Sequence, residues 1–228
     1  VVADLHFAPT NAARQNLLSE GIDDSLIRVT GNPVIDALNI AAQQPEPKEI
    51  KELLGKLGIG NRELVLVTAH RRENFGQPLE DVCEALRQLA SRGDVEIVYP
   101  VHLNPNVQEP VKRLLGNVPH ITLLPPLDYL PLVHLMKRAR IILTDSGGIQ
   151  EEAPAFGVPV LVLREVTERP EGVDAGTLKL VGTDTSHIVQ MAMRLLDDPA
   201  EYAKMAKASN PYGDGHAAEK IIQSLLNS

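Results

Sequence analysis

A serine, two glycines and a glutamate follow an apolar run at a spacing that suits the binding of phosphate and sugar groups. Residues 141–143 form the apolar run, Ser146, Gly147 and Gly148 come next, and Glu152 lies six residues after the serine. Free N–H groups at the start of a helix attract an anion, the helix dipole adds to this attraction, and glycine allows close approach to the backbone. A phosphate at the glycines and a sugar hydroxyl near the glutamate would fit a nucleotide. The segment equally fits an ordinary strand–helix connection in which the serine is the N-cap residue.

Polar residues follow other predicted strands as well. The strand at residues 64–69 is followed by His70 and Arg71, and the strand at 95–101 is followed by His102. Each of these side chains has an ordinary structural explanation, as a solvated charge or a satisfied loop histidine. In open parallel sheets, however, ligands bind beyond the carboxyl ends of the strands. Because these residues converge on one rim of one predicted sheet, they favour a phosphate-bearing ligand there.

Strands and helices alternate along the chain, which predicts an α/β fold with a parallel sheet covered by helices on both faces. The nearly continuous apolar run at 64–69 is typical of a strand that is buried on both faces. The segment 164–175 interrupts the alternation and is predicted as a loop. The predicted strands are 4–9, 27–30, 64–69, 95–101, 120–124, 141–143, 159–163 and 176–181. The predicted helices are 10–19, 34–43, 48–57, 78–90, 107–115, 129–137, a short helix from 147, 185–196, 200–208 and 216–226.

The composition is that of an ordinary globular protein and argues against several partners. At 228 residues the chain suits one large or two small domains. A net charge of -8 argues against a general binder of nucleic acid or of membrane surfaces, and no apolar run approaches the roughly 18 residues that span a bilayer. The one cysteine, Cys83, cannot form an internal disulfide, so the cytoplasm is the expected compartment. The chain starts at Val1 within a predicted strand and without a signal-peptide pattern, so we expect it to begin inside a larger protein.

Motifs of other catalytic classes are absent from the sequence. It contains no Walker sequence, no G-x-G-x-x-G fingerprint and no pair of histidines at zinc spacing on a helix. Asp145, Ser146 and Gly147 lack the leading glycine of the G-x-S-x-G nucleophile elbow, which argues against a serine hydrolase. We therefore expect neither a metal nor a cofactor.

Several segments in fixed order resemble the non-hydrolysing UDP-N-acetylglucosamine 2-epimerases. They are T-A-H-R-R-E-N at 68–74, Y-P-V-H-L-N-P at 99–105, L-T-D-S-G-G-I-Q-E-E-A at 143–153 and T-E-R-P-E at 167–171, with V-T-G-N-P at 29–33 and N-P-Y-G-D-G at 210–215. The resemblance extends through nearly the whole chain and implies the two-lobed glycosyltransferase-B type fold with Rossmann-like lobes. It implies that residues 1–26 end the N-terminal lobe, that 27–214 form the C-terminal UDP-binding lobe, and that 215–228 form a helix crossing back to the N-terminal lobe.

The reaction implied by the resemblance is the interconversion of UDP-N-acetylglucosamine and UDP-N-acetylmannosamine. In that family UDP is eliminated to leave a glycal, with removal of the C2 proton, and adds back after protonation at the opposite face of C2. The acidic residues for this step come from the N-terminal lobe, and Glu151, Glu168 and Glu171 are not obvious substitutes. We therefore expect the chain alone to bind UDP weakly and to be inactive. The full-length enzyme is expected to be a homodimer that serves polysaccharide biosynthesis.

The resemblance also implies a role for the residues that match the UDP-binding motifs. Ser146 and the amides of Gly147 and Gly148 would contact the diphosphate. Glu152 would accept hydrogen bonds from the ribose hydroxyls, and the backbone around Leu132 would face uracil.

The resemblance also matches four further residues, in or beside the active-site cleft. His70 would lie beside the diphosphate and assist its departure as the catalytic residue of this half, and Arg169 would point into the cleft near the sugar phosphate. In some bacterial members a second UDP-N-acetylglucosamine is an allosteric activator, at positions that match Arg71 and His102. Two alternatives stay open: a hydrolysing epimerase or glycosyltransferase of the same architecture, and a non-catalytic UDP-sugar-binding module.

Overall fold

The computed structural model describes residues 3–227, so the predictions that fall on Val1, Val2 and Ser228 lie outside the described residues. Its strands are β1 His6–Ala8, β2 Ile27–Val29, β3 Glu63–Thr68, β4 Val95–Pro100, β5 Ile121–Leu124, β6 Ile141–Thr144, β7 Val160–Val162 and β8 Leu178–Leu180. Its α-helices are α1 Asn11–Ser19, α2 Pro33–Gln43, α3 Lys48–Lys56, α4 Gln77–Ala90, α5 Pro105–Leu115, α6 Tyr129–Arg138, α7 Gly147–Glu152, α8 Pro170–Asp174, α9 Thr185–Asp197, α10 Pro199–Ala206 and α11 Ala217–Leu226. Within residues 3–227, no helix has the length and apolar character needed to cross a membrane.

Strands β3 to β8 form one six-stranded parallel sheet in the order β5-β4-β3-β6-β7-β8, which confirms the predicted architecture. Val65 of β3 lies opposite Ile97 of β4 on one side and Ile141 of β6 on the other. From β3 the chain continues to β4 and β5 in one direction, and from β6 it continues to β7 and β8 in the other. The strand order therefore reverses between β3 and β6, and a ligand crevice is expected beyond the carboxyl ends of these two strands.

Two hydrophobic layers cover the faces of this sheet. Val65 and Val67 of β3 belong to a core that includes residues of α4, α5 and α9. Leu64 and Leu66 belong to the opposite core, with residues of α2, α3 and α6. Successive side chains of a strand point to opposite faces, so a strand that is covered on both faces needs apolar residues at every position. This explains the nearly continuous apolar run in the sequence.

A separate two-stranded sheet pairs β1 with β2 in parallel, with His6 opposite Ile27. The pairing groups the chain up to Val29 with β1, whereas the predicted domain boundary falls after residue 26. The position of that boundary stays a prediction.

The C-terminal helix α11 begins against α2. The carboxylate of Asp36 on α2 accepts hydrogen bonds from the backbone N–H groups of Ala217 at 3.1 Å and Ala218 at 2.9 Å, so it caps the first turn of α11. Farther along α11, Ile222 and Leu225 are more than half exposed. The expectation that this helix packs on another lobe stays a prediction.

The predicted loop at 164–175 is wrong in its second half, because residues Pro170–Asp174 form helix α8. Proline at the first helical position has a φ that already suits a helix, and it lacks only an N–H group that would be unpaired there. Glu171 in the first turn also suits the helix dipole. The helix is too short to show a hydrophobic period, so the sequence pattern missed it.

Candidate active site

A cavity of about 310 Å³ lies at the reversal of strand order between β3 and β6. Six of the nine predicted site residues line it: His70, His102, Leu132, Ser146, Gly148 and Glu152. The other three, Arg71, Gly147 and Arg169, lie beside one another. A Cβ atom placed on Gly147 would be 3.7 Å from a guanidinium nitrogen of Arg71 and 3.8 Å from one of Arg169. The structure therefore brings all nine predicted residues to one end of the sheet.

The turn after β6 presents a hydroxyl group and two cations at the start of α7. Thr144 Oγ1 accepts a hydrogen bond from the backbone N–H of Ser146 at 3.0 Å, which fixes the turn. Ser146 is the N-cap residue of α7, but its side chain caps no amide in the described part of the chain. Its hydroxyl is thus available to a ligand at the positive end of the helix dipole. With the guanidinium groups of Arg71 and Arg169 beside Gly147, the turn suits an anion such as a diphosphate.

Glu152 lies at the C-terminal end of α7 and is almost completely buried. The Tyr129 hydroxyl donates a hydrogen bond to Glu152 Oε1 at 3.1 Å. Burial raises the pKa of Glu152, the hydrogen bond from Tyr129 opposes this shift, and the charge of Glu151 adds to it. Burial and the neighbouring Glu152 carboxylate raise the pKa of Tyr129 to about 12, so this hydroxyl stays a donor. The second oxygen of Glu152 is then the natural acceptor for a sugar hydroxyl.

A stacked pair of histidines also lines the cavity. The rings of His70 and His102 have centroids 5.3 Å apart and planes inclined by 14°. Nδ1 of His70 lies 3.7 Å from Oδ1 of Asp145. Burial lowers the pKa of His70, Asp145 opposes the shift, and the nearby His102 and Arg71 lower the pKa further. The His70 ring is therefore mainly neutral at pH 7, and a bound anion would favour its protonated form.

Arg169 is held beside the start of α7 by a buried acid. Its Nε donates a hydrogen bond to Glu151 Oε1, and Asn32 Nδ2 donates one to Glu151 Oε2 at 2.6 Å. Asn32 stands at the start of α2, so this network links the connection after β2 with the rim of the cavity. The link fixes the guanidinium group where an anion at Gly147 would meet it.

The two carboxylates of the 167–171 segment also have structural partners. Arg164 donates hydrogen bonds to Glu168 at 2.6 and 3.0 Å, and this pairing lowers the pKa of Glu168 to about 2. Glu171 accepts a hydrogen bond from the hydroxyl of Thr10 at 2.7 Å. These partners support the expectation that neither carboxylate is the base that removes a sugar proton.

Two residues that contact the predicted site were given no role from the sequence, namely Asp145 and Tyr129. Asp145 directly follows β6, and Tyr129 begins α6 shortly after β5. Their position after strand ends was the one feature of the sequence that could have indicated a role at the site. Aspartate is also common in turns, however, so the signal could not show which groups these side chains contact.

Comparison with known proteins gives the chain a family. The sequence profile of the family described as UDP-N-acetylglucosamine 2-epimerase matches residues 1–226. The chain belongs to this family. It is 54% identical over 230 residues to the UDP-N-acetylglucosamine 2-epimerase of Salmonella typhimurium. That match covers 98% of this chain but 61% of the relative, so the chain spans about three fifths of the relative's length.

Solved structures of similar proteins agree with the observed fold. The UDP-GlcNAc 2-epimerase from Neisseria meningitidis, solved bound to UDP-GlcNAc, matches with a TM-score of 0.90 and 45% identity over 99% of this chain and 62% of that one. S. aureus MnaA, solved with UDP, matches with a TM-score of 0.91 and 48% identity over 99% and 62% of the two chains. The expected fold class is thereby confirmed: a Rossmann-like parallel sheet with helices on both faces, as in the C-terminal lobe of the glycosyltransferase-B type fold.

Proposed function

We propose that this chain is the UDP-binding half of an enzyme that interconverts UDP-N-acetylglucosamine and UDP-N-acetylmannosamine by elimination and re-addition of UDP. The observation that carries the proposal is the convergence of the Ser146 hydroxyl, a helix start, two arginines, a histidine and a buried glutamate at one cavity. Family membership supports the same assignment, as do the solved relatives that hold UDP or UDP-GlcNAc.

The uridine would occupy the side of the cavity that α6 and α7 line. Leu127 and Leu132 provide apolar surface there, and the backbone around Leu132 would face uracil. The ribose would lie at Glu152, whose Oε1 already accepts a hydrogen bond from Tyr129, so Oε2 would accept one from a ribose hydroxyl. This arrangement would favour ribose over a sugar without that hydroxyl, because Glu152 is a buried acceptor.

The diphosphate would lie at Ser146 and the amides of Gly147 and Gly148, with Arg169 beside it. His70 would stand next to the departing diphosphate, and a proton on its ring would offset the negative charge that develops as UDP leaves. These donors are fixed before the ligand binds, which suits a site that must retain UDP after its bond to the sugar has broken.

An allosteric ligand is proposed to bind beside this site rather than far from it. Arg71 approaches Gly147, and His102 stacks on His70. A second nucleotide sugar that contacts Arg71 and His102 would therefore alter the position and charge of groups that hold the substrate diphosphate.

Proton transfer at C2 is proposed to need residues from the part of the relatives that this chain does not match. Glu151, Glu168 and Glu171 all have structural partners. We therefore expect the purified 228-residue chain to produce no UDP-N-acetylmannosamine from UDP-N-acetylglucosamine in a chromatographic assay. Epimerisation by the chain would contradict this division of labour, and release of free N-acetylmannosamine would indicate a hydrolysing epimerase instead.

Titration calorimetry with UDP tests the assigned site on the chain itself. Ser146→Ala and Glu152→Ala should each weaken binding about tenfold or more, because a hydrogen bond to a charged group contributes about 1.5–3 kcal/mol. The matched controls Ser186→Ala and Glu109→Ala remove exposed side chains on α9 and α5 and should leave the affinity unchanged. If neither site substitution weakens binding more than its control, the assigned site is wrong.

The homodimer, the cytoplasmic location and the supply of polysaccharide biosynthesis stay predictions of the family resemblance. The proposed domain limits also stay open to test. Limited proteolysis that cuts near residues 26–30 and again near 215 would support them.

A further inference from the structure

The carboxylate of Asp145 lies between the two loops that carry the proposed diphosphate site. Asp145 follows β6 and is completely buried, and His70 follows β3, the neighbouring strand. We propose that Asp145 is a positioning residue that fixes the orientation and the tautomer of the His70 imidazole. The consequence for the ligand rests on the proposed function, but the contact between the two residues does not.

One oxygen of Asp145 fixes the loop after β3. Oδ2 accepts hydrogen bonds from the backbone N–H groups of His70 and Arg71, each at 2.8 Å, and from Asn74 Nδ2 at 3.2 Å. With three donors, Oδ2 has no capacity left to accept another hydrogen bond. The backbone of His70 is therefore bound to the same side chain that its ring approaches.

The other oxygen of Asp145 has no hydrogen bond with any residue in the described part of the chain, although it is buried. Oδ1 lies 3.7 Å from His70 Nδ1, which is beyond a hydrogen bond but within reach after a small rotation of the ring. A buried carboxylate oxygen without a donor costs free energy. A proton on Nδ1 of His70 supplies that donor, so the structure favours the Nδ1–H tautomer.

This tautomer determines what His70 can do for a diphosphate. A neutral imidazole carries one proton, so Nδ1–H leaves the lone pair on Nε2. Nε2 is the nitrogen that takes up a proton from solvent when an anion binds, and Asp145 then balances the imidazolium charge. His102 and Arg71 are the other charged or titratable groups that act on the ring, and both oppose its protonation. Among these groups, Asp145 alone favours the charged ring.

An asparagine at this position separates the positioning role from the structural one. The amide oxygen of Asp145→Asn can still accept the three hydrogen bonds that Oδ2 receives, while its NH₂ group faces His70 Nδ1. Nδ1 must then accept, and the ring proton moves to Nε2. Asn74→Ser is the control, because it removes one donor to Oδ2 and leaves the contact between Asp145 and His70 intact.

Nitrogen-15 NMR of the labelled chain reads the tautomer directly, with the His70 signals assigned by their loss in His70→Gln. At pH 8 we expect Nδ1–H in the native chain and in Asn74→Ser, and Nε2–H in Asp145→Asn. The midpoint of the His70 titration should fall in Asp145→Asn, and the affinity of this variant for UDP-N-acetylglucosamine at pH 6 should drop, because a smaller fraction of its rings carries the proton.

An Nε2–H tautomer in the native chain would overturn the proposal, and this outcome does not depend on the folding of Asp145→Asn. An unchanged tautomer and titration in folded Asp145→Asn would overturn it as well. The expected tautomers together with a failure of the native chain to bind any UDP compound would support the positioning role and contradict the proposed function instead.

Discussion

At the residue scale, the site combines a buried hydrogen-bond acceptor at one end with a titratable histidine at the other. Glu152 is buried against Tyr129, where its carboxylate can receive hydroxyl groups. His70 stacks on His102, and its pKa lies below the ordinary value for histidine, chiefly because of burial. A nucleotide sugar has hydroxyl groups at its ribose and negative charge at its diphosphate, so the two ends of the site match the two parts of that ligand.

The lowered pKa of His70 predicts that UDP-N-acetylglucosamine binds more tightly as the pH falls. The free site holds a mainly neutral ring, and the diphosphate raises the pKa in the complex, so binding takes up a proton. The gain in affinity is fully present below the pKa of the free site and is lost as the pH rises through the pKa of the complex. Calorimetry from pH 8 to pH 6, in buffers of different ionisation enthalpy, measures both the slope and the proton uptake.

The variant His70→Asn tests whether this proton belongs to His70. It should bind more weakly at pH 6 and should lose most of the pH dependence, with His102 left as the second histidine of the pair. Equal slopes in the native chain and in His70→Asn, or an affinity that rises with pH, would contradict the assignment. The diphosphate diester of UDP-N-acetylglucosamine does not titrate in this range, so the ligand itself adds no slope.

At the scale of elements, the sequence predicted the strands and helices that show a hydrophobic period. It missed the side-chain contacts between residues that are far apart in the chain. Strand β3 was predictable because a strand covered on both faces must be apolar at every position. The rule for strand ends predicted that His70 and Ser146 would converge. It could not predict that Tyr129 binds Glu152 or that Asp145 faces His70, because those pairings depend on how packing directs each side chain.

The cap of α11 is another contact that the sequence could not predict, because Asp36 lies 181 residues before Ala217. The residue at the N-cap position, His216, makes no side-chain capping bond within the described chain. Asp36→Ala should therefore lower the stability of α11 by about 0.5–2 kcal/mol, the usual cost of losing a cap. Hydrogen exchange should become faster at the amides of residues 217–226 and stay unchanged in β3.

The control for this prediction is Asp81→Ala on α4, which removes an acid that accepts a hydrogen bond from the side chain of Gln77. Its exchange at residues 217–226 should match that of the native chain. If Asp36→Ala also leaves that exchange unchanged, packing against α2 rather than the remote cap holds α11.

At the scale of the whole molecule, the segment that follows the small sheet is bound to α7 and to the C-terminal part of the chain. The backbone N–H of Asn32 donates a hydrogen bond to the carbonyl of Tyr212 at 2.7 Å, and the side chain of Asn32 binds Glu151, the partner of Arg169. The position of the small sheet is thus connected to the cation beside Gly147 through one continuous set of contacts.

A pair of glycine substitutions measures how tightly the two parts are joined. Gly31 and Gly21 have φ values of +87° and +83°, so alanine costs about 1–2 kcal/mol of backbone strain at either position. A Cβ atom on Gly21 meets nothing within 4 Å among the described residues, whereas one on Gly31 would lie 3.2 Å from Gly213 Cα and 3.4 Å from the Tyr212 carbonyl oxygen. Gly31→Ala should therefore lower the free energy of unfolding in urea by about 1–3 kcal/mol more than Gly21→Ala, because close contacts between backbones cannot relax as flexible side chains do.

Since the displaced segment includes Asn32, Gly31→Ala should also weaken UDP binding while Gly21→Ala leaves it unchanged. Equal losses of stability would show that the backbone at Gly31 is not packed tightly against Gly213 and Tyr212. A normal UDP affinity in folded Gly31→Ala would show that the contacts through Asn32 and Glu151 do not reach the site.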